Sequence, residues 1–281
     1  MKNQIPVRFS CRYFSIAPST YYQWAKSKEL LSFKKKKQIC SQIKEIFYLS
    51  KKTYGSPRVH KELISQGITI SKTTVEKYMK EMGLDARLKN KFKVQTTNSN
   101  HQNPVAQRLF KTEDKLVPDA PGKILAGDIT YLRIGDKFIY LAVVLDLFNR
   151  EVVGWSMGNS LETSLVLNAL DAAIKKVGPD TEAIFHSDRG SQYASEAYRK
   201  FLNNKNIKPS MSRKGNCYDN AYVESWFASL KKEWIYRNQY TTEVELRALV
   251  FEYIEIWYNR KRKHSSLGHL SPMEYKLGKI V

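Results

Sequence analysis

At 281 residues and 42% hydrophobic content, the chain exceeds one average domain and can bury a sizeable core, so two or three folded units are expected. Its net charge of +20 is uneven: residues 1–118 carry 24 Lys/Arg against 8 Asp/Glu, whereas residues 119–281 carry 23 against 19. A basic front joined to a near-neutral half reads as a polyanion-binding module attached to something else, the plain alternative being a surface tuned for solubility. The three cysteines, Cys11, Cys40 and Cys217, are widely spaced, which excludes a disulfide framework and a CxxC metal knuckle and fits a reducing compartment. No apolar run approaches the roughly 20 residues of a membrane span, and the first six residues lack a signal-peptide core. A cytoplasmic protein, or one located wherever its nucleic acid is, is expected, with no membrane partner.

Residues 1–30 read as an N-terminal helical segment, with Ser19 as the N-cap of a helix over 20–26. Residues 31–95 read as a helical DNA-binding domain. Lys34 to Lys37 open a helix that runs to about Leu49. Tyr54-Gly55-Ser56-Pro57-Arg58 starts another, with Ser56 as N-cap and Pro57 at the first helical position. Gly67 ends that helix, and Ser71 caps the next, over 72–82, with Val75, Tyr78, Met79 and Met82 as its buried face. Two short helices around a tight turn form a helix-turn-helix pattern, and the surrounding charge favours DNA binding over a plain helical hairpin. Lys72, Thr73, Thr74 and Lys77 would then face the groove or its phosphates, with Arg58 as a further contact. Residues 96–121, polar and punctuated by Pro104, Pro118 and Pro121, read as an extended linker.

From Lys123 the texture becomes α/β. Ile124 to Leu132, Phe138 to Leu147 and Glu151 to Met157 are strand-like and joined by short turns, which predicts an antiparallel meander. A helix follows over 161–177, with Leu165, Leu167, Leu170, Ala173, Ile174 and Val177 inward. Then come a strand over 181–186, a helix over 195–204, a short strand over 207–211, the polar loop 212–218 and a helix carrying Glu224. Three antiparallel strands, then helix, strand, helix, strand, helix, is the order of a ribonuclease H-like fold. It implies a mixed five-stranded sheet with flanking helices over 122–236. Thr242 to Tyr258 is a further helix with Thr242 and Glu245 in capping-box positions, and residues 237–281 should fold back on the core.

Three acids stand out. Asp128 projects from the middle of the first strand, and Asp188 sits at the end of the fourth. Glu224 lies in a helix, with 35 residues (189 to 223) separating it from Asp188. Each has a plainer reading: Asp128 as a strand-edge surface residue, which a covered strand disfavours because an uncompensated buried acid is costly, Asp188 equally as a cap or turn residue, and Glu224 as a helix-surface acid. Together, three carboxylates delivered from different elements suit hard cations, Mg²⁺ with Mn²⁺ substituting. Two such ions, roughly 3.5–4 Å apart, support in-line phosphoryl displacement. Lys231 lies seven residues after Glu224, on nearly the same helix face, and reads as a contact to DNA near the acids or as a solvated cation. Asp146 and Glu151, also near strand ends, read as structural. Further candidate DNA contacts are Arg213, Lys214 and Asn216 in the polar loop and Arg260, Arg262 and His264 in the basic run after Tyr258.

GDITYL (127–132), LAVVLDLFNREVVGW (141–155), HSDRGSQY (186–193), SMSRKGNCYDNAYVESWFASLKKE (210–233) and YNRKRKHSSLGHLSP (258–272) resemble the integrase catalytic core of bacterial insertion-sequence transposases. This is the Asp-Asp-Glu group related to retroviral integrases, and the likeness is narrower still to its OrfB-type, copy-out/paste-in members. YGSPRVHKEL resembles that group's N-terminal region. The resemblance implies Asp128, Asp188 and Glu224 as the catalytic, metal-binding triad holding two ions. It implies attack by water, and then by a DNA 3′-hydroxyl, with no covalent protein intermediate. It also implies at least a dimer on paired terminal inverted repeats and target DNA, with a partner or fusion from an upstream frame, OrfA, in a bacterial cytoplasm. The chain lacks the histidine/cysteine zinc module of retroviral integrases and an upstream leucine zipper. The rival readings are a hydrolytic, structure-selective nuclease and a non-catalytic DNA-binding regulator of the same fold.

Overall fold

The computed structural model describes residues 6–27, 31–86, 106–107, 109, 118–178, 182–212 and 220–280. The chain divides into two compact units, residues 1–87 and 88–281.

The first unit contains α1 (Val7–Tyr13), α2 (Pro18–Ser27), α3 (Leu31–Leu49), α4 (Ser56–Ser65) and α5 (Lys72–Glu81). Helices α3, α4 and α5 pack on one another. They bury Ile39, Ile43, Ile46 and Phe47 from the first, Val59 and Leu63 from the second, and Val75 and Met79 from the third. Lys34, Lys35 and Lys37 stay exposed. Lys36 instead lies 4.9 Å over the Tyr78 ring and pairs with Glu81 at 2.8 Å. Ser71 caps α5 as expected, accepting the Thr74 N–H at 3.1 Å. The other two expected caps shift. α2 begins at Pro18, ahead of Ser19, because proline's fixed φ suits a first turn. In α4, Ser56 is the first helical residue, Gly55 occupies the N-cap without a side-chain bond, and Pro57 follows inside the first turn.

The second unit is built on a five-stranded sheet in the order β3-β2-β1-β4-β5. β1 (Ile124–Ile134), β2 (Lys137–Asp146) and β3 (Val152–Gly158) form the antiparallel meander. α6 (Thr163–Val177) crosses to β4 (Ile184–Ser187), and α7 (Glu196–Asn204) crosses to β5 (Lys208–Met211). β4 runs parallel to both β1 and β5. α8 (Ala221–Glu233) and α9 (Glu243–Phe251) follow; α9 continues with π-helical pitch over Glu252–Tyr258, and α10 (Pro272–Ile280) closes the chain.

One core lies between the sheet and α6–α7. Leu125, Ala142, Val144, Val153 and Phe185 meet Leu165, Val166, Ala169, Leu170, Ala173 and Ile174 of α6. This stripe corrects the expected one: Val166 and Ala169 point inward, while Leu167 and Val177 sit at its margin. The cause is Gly154 on β3. A Cβ there would run into the backbone of Ala169 and Ala173, so the helix sits directly on the strand and presents its alanines. Gly154→Ala is expected to destabilise the protein by about 1–3 kcal/mol through overpacking, read as a lower urea midpoint at an unchanged slope.

The C-terminal segment fastens β3. The Asn259 side-chain amide accepts from Val152 N at 2.9 Å and donates to Val152 O at 3.0 Å. Trp155 Nε1 donates to Glu255 Oε1 at 2.9 Å. Asp146 accepts the N–H groups of Gly122 and Phe148, and Glu151 pairs with Lys176 and Lys276 at 3.0 and 3.3 Å. Both acids thus sit in internal bonds remote from the cleft described next. The capping box of Thr242 and Glu245 is formed.

Candidate active site

The parallel register of β1 and β4 pairs Ala126 with His186. That pairing stops there and β4 ends at Ser187; Asp128 and Asp188, each two residues further along its chain, line one cleft and act on each other electrostatically. Each carboxylate is oriented by local backbone. Asp128 Oδ1 accepts the Ile129 N–H at 2.8 Å, and Asp188 Oδ1 accepts the Gly190 N–H at 2.9 Å. Gly127, immediately before Asp128, packs so closely on the Phe185 ring that a Cβ would overlap it.

Glu224 comes from the first turn of α8. That helix is pinned along β1 at two points. Asn220 Nδ2 donates to Gly127 O at 3.4 Å, and Lys231 Nζ lies 4.9 Å from the centroid of the Tyr131 ring. Glu224 and Lys231 are therefore carried together past the Asp128 edge. A cleft of about 210 Å³ opens here, lined by Asp128, Asp188, Tyr131, Tyr140 and Gln192 among others.

The electrostatics tie the groups into one site. Although Asp128 keeps part of its surface open, enclosure of its carboxyl group pushes its pKa well above the usual carboxylate range. The charges of Asp188 and Glu224 push it further, against the opposing Ile129 N–H and Lys231. Burial lowers the Lys231 pKa, with Asp128 pulling the other way. Tyr193, 2% exposed, has its phenol pushed well up by burial and by Asp128 and Asp188. Among the described residues, no three acidic, histidine or cysteine side chains are already gathered as an ion cage. Asp128 and Asp188 form the inner pair and Glu224 the outer member. An all-oxygen donor set, whose enclosed carboxyl resists ionisation until a positive charge arrives, fits a hard divalent cation.

The other sequence-derived candidates scatter. Lys72 and Lys77 are exposed on α5. The Thr73 and Thr74 hydroxyls both bond Ser71 Oγ, at 2.9 and 2.8 Å, and so reinforce the cap. Arg58 lies 5.5 Å over the Tyr54 ring. Arg260 is exposed, and His264 is half-buried with its ring edge-on to Tyr258 at 4.9 Å. Arg213, Lys214 and Asn216, with most of the polar loop, lie outside the described residues. Arg262 is a correction. It is 5% exposed, and its Nε and Nη2 each reach Glu233 at 2.6 Å, so its charge is turned inward to hold the end of α8. Sequence reasoning missed Asn220 and Tyr193. Their one signal is position, directly before the Glu224 helix and directly after HSDRGSQ.

A family model described as "Integrase core domain" matches residues 118–217, and a second of the same description matches 205–272. One described as "HTH-like domain" matches residues 34–92. Transposase InsF for insertion sequence IS3A of Escherichia coli (strain K12) is 38% identical over 275 residues, covering 97% of this chain and 94% of that protein. The chain belongs to the InsF family of insertion-sequence transposases. A 31 kDa protein of insertion element IS600 from Shigella sonnei is 36% identical over 266 residues, covering 95% of this transposase and 97% of that protein. Among solved structures, the transposase is similar to a chain of a simian T-cell lymphotropic virus intasome, with a TM-score of 0.49, 16% identity and coverage of 83% and 73%. The HTLV-2 integrase catalytic core domain in complex with magnesium gives a TM-score of 0.44, 16% identity and coverage of 56% and 97%.

Proposed function

We propose that this DNA transposase cuts at the ends of its element and joins the freed 3′-hydroxyl to target DNA at the Asp128–Asp188–Glu224 cleft. The observation that carries the reading is the shared electrostatic environment of Asp128 on β1 and Asp188 just past the end of the parallel neighbour β4, with Glu224 presented by α8. In the first step water cleaves one phosphodiester and leaves a 3′-hydroxyl. In the second that hydroxyl attacks a target phosphodiester: a new P–O bond forms, the target's own 3′-oxygen leaves, and the bond count is unchanged. The three carboxylates would hold divalent cations, two Mg²⁺ with Mn²⁺ substituting, which when bound supply Lewis-acid polarisation of the phosphate and activation of the attacking oxygen. Lys231, beside Asp128, meets the DNA backbone charge. Tyr193 walls the floor against water. Glu224, the outer acid, moves inward when the site is loaded.

The division of labour proposed is DNA-end binding by 31–95, a linker over 96–121, catalysis by 122–236 and support from 237–281. The partners are terminal inverted repeats, target DNA and a second copy of the chain, with an upstream-frame OrfA protein or fusion, in the bacterial cytoplasm. Lys72, Lys77, Arg58 and Arg260 contact backbone phosphates in this reading, with Thr73, Thr74 and His264 beside them.

The test is a joining assay with labelled end DNA, a target plasmid and Mg²⁺. Joined product is expected; hydrolysis alone would replace this reading with that of a nuclease. Binding should also weaken steeply with salt, because each neutralised phosphate releases counterions. Lys72→Ala and Lys77→Ala should each reduce the log–log salt slope by about one. An unchanged slope in both would remove α5 from the DNA interface.

A further inference from the structure

Arg150 sits in the short connection between β2 and β3, with φ 63. This left-handed conformation suits glycine or asparagine and strains a residue with a long side chain. A reason for arginine there must therefore come from its side chain. The guanidinium lies 3.7 Å from the centroid of the Tyr222 ring, the shortest cation–ring approach among the described residues. Its Nη1 is buried and has no hydrogen-bond partner among the described residues. The planar cation is thus held face to face with an aromatic ring, an arrangement that a lysine ammonium does not reproduce.

Tyr222 is in the first turn of α8, two residues before Glu224. That turn lacks the usual fastening. Asn220 at the N-cap makes no side-chain cap bond to the helix, because its amide reaches across to Gly127 O instead. Lateral contacts take over from capping, with Asn220 on β1 on one side and Arg150 on Tyr222 on the other. We infer that Arg150 is a positioning residue for Glu224. Its stack on Tyr222 sets the rotation of the first turn of α8, and with it the direction from which Glu224 meets Asp128 and Asp188. The inference rests on the proposed metal-dependent site and adds to it a residue from the connection between β2 and β3.

The experiment uses the full chain and five variants: Arg150→Gly, Arg150→Lys, Tyr222→Ala, Tyr222→Trp and the double variant Arg150→Gly/Tyr222→Ala. Arg150→Gly is chosen because glycine relieves the left-handed strain and preserves the turn. Amide hydrogen exchange of 221–225 and calorimetric Mn²⁺ binding are read without DNA. Arg150→Gly and Tyr222→Ala should each speed exchange in 221–225 and weaken Mn²⁺ binding about tenfold, with exchange in β1 and α6 unchanged. The double variant should be no worse than either single one. Tyr222→Trp should keep parental values, and Arg150→Lys should fall between. Unchanged exchange and Mn²⁺ affinity in Arg150→Gly would overturn the inference, as would additive effects or loosening spread equally over β1 and α6. A parent chain that hydrolyses but does not join DNA would instead defeat the proposed strand transfer, and the exchange and Mn²⁺ measurements would still decide the stack.

Discussion

Asp128→Asn is expected to lose most strand joining and, in the same protein, to raise the melting temperature. The carboxyl group is enclosed and lies within the repulsive fields of Asp188 and Glu224, so its ionised form is costly until a cation is bound. Asparagine keeps an oxygen for the Ile129 N–H and removes the charge. Relief of that cost should follow, read as a higher Tm. Joining should fall by about 10³-fold, the equivalent of roughly 4 kcal/mol of transition-state stabilisation, because in the proposed site Asp128 is an anionic ligand beside the reacting phosphate. Calorimetry of thermal unfolding and the joining assay read the two effects on one preparation. A variant that lost both joining and stability would show Asp128 to be a structural acid. One that kept joining would remove it from the site.

The second large effect belongs to Arg262. Both ends of its fork bond Glu233, and Ser229 takes a further bond at 3.3 Å, in a position almost closed to solvent. Arg262→Ala leaves the Glu233 carboxylate enclosed without its guanidinium, so a loss of about 3–5 kcal/mol is expected. Replacing both partners by leucine should recover most of that loss, because the desolvation of a buried ion pair offsets much of its attraction. Urea denaturation of the two single variants and the double variant decides this. At temperatures where Arg262→Ala remains folded, its DNA affinity should match the parent, whereas Arg260→Ala should bind more weakly. The reverse order would restore Arg262 to the DNA surface.

Arg262 also shows where sequence reading stops. In the run Asn259 to His264 every cation looks alike, yet Arg260 faces solvent while Arg262 meets an acid 29 residues upstream. Which of two neighbouring charges turns inward depends on packing, and packing leaves no mark on a charge run. The strands were legible for the opposite reason. β1, β2 and β3 are strand-like runs, the second nearly continuous in apolar residues, joined by short turns, so their pairing is a local matter. Asp128 and Asp188 could be brought together because that strand order makes β1 and β4 neighbours. The inward face of α6 was read only in part. Its precise stripe depends on Gly154, which lies on another element and has no side chain to announce the close approach. Asn220 and Arg150 were passed over for a related reason: each acts across space on a backbone or ring that no periodic pattern links to it.

The clasp of Asn259 on Val152 bears on how the protein survives its own synthesis. β3 is an outer strand of the sheet, and its unpaired backbone would invite other copies to add strands to it. The amide of Asn259 plugs that position late in translation, since it lies 107 residues downstream. A nascent or truncated chain ending before residue 259 would lack the bonds of Asn259 to Val152 on that margin. Such fragments should accumulate as insoluble material even though all five strands are present. The tail therefore acts as a selvedge, the woven border that keeps a cloth from fraying into its neighbours.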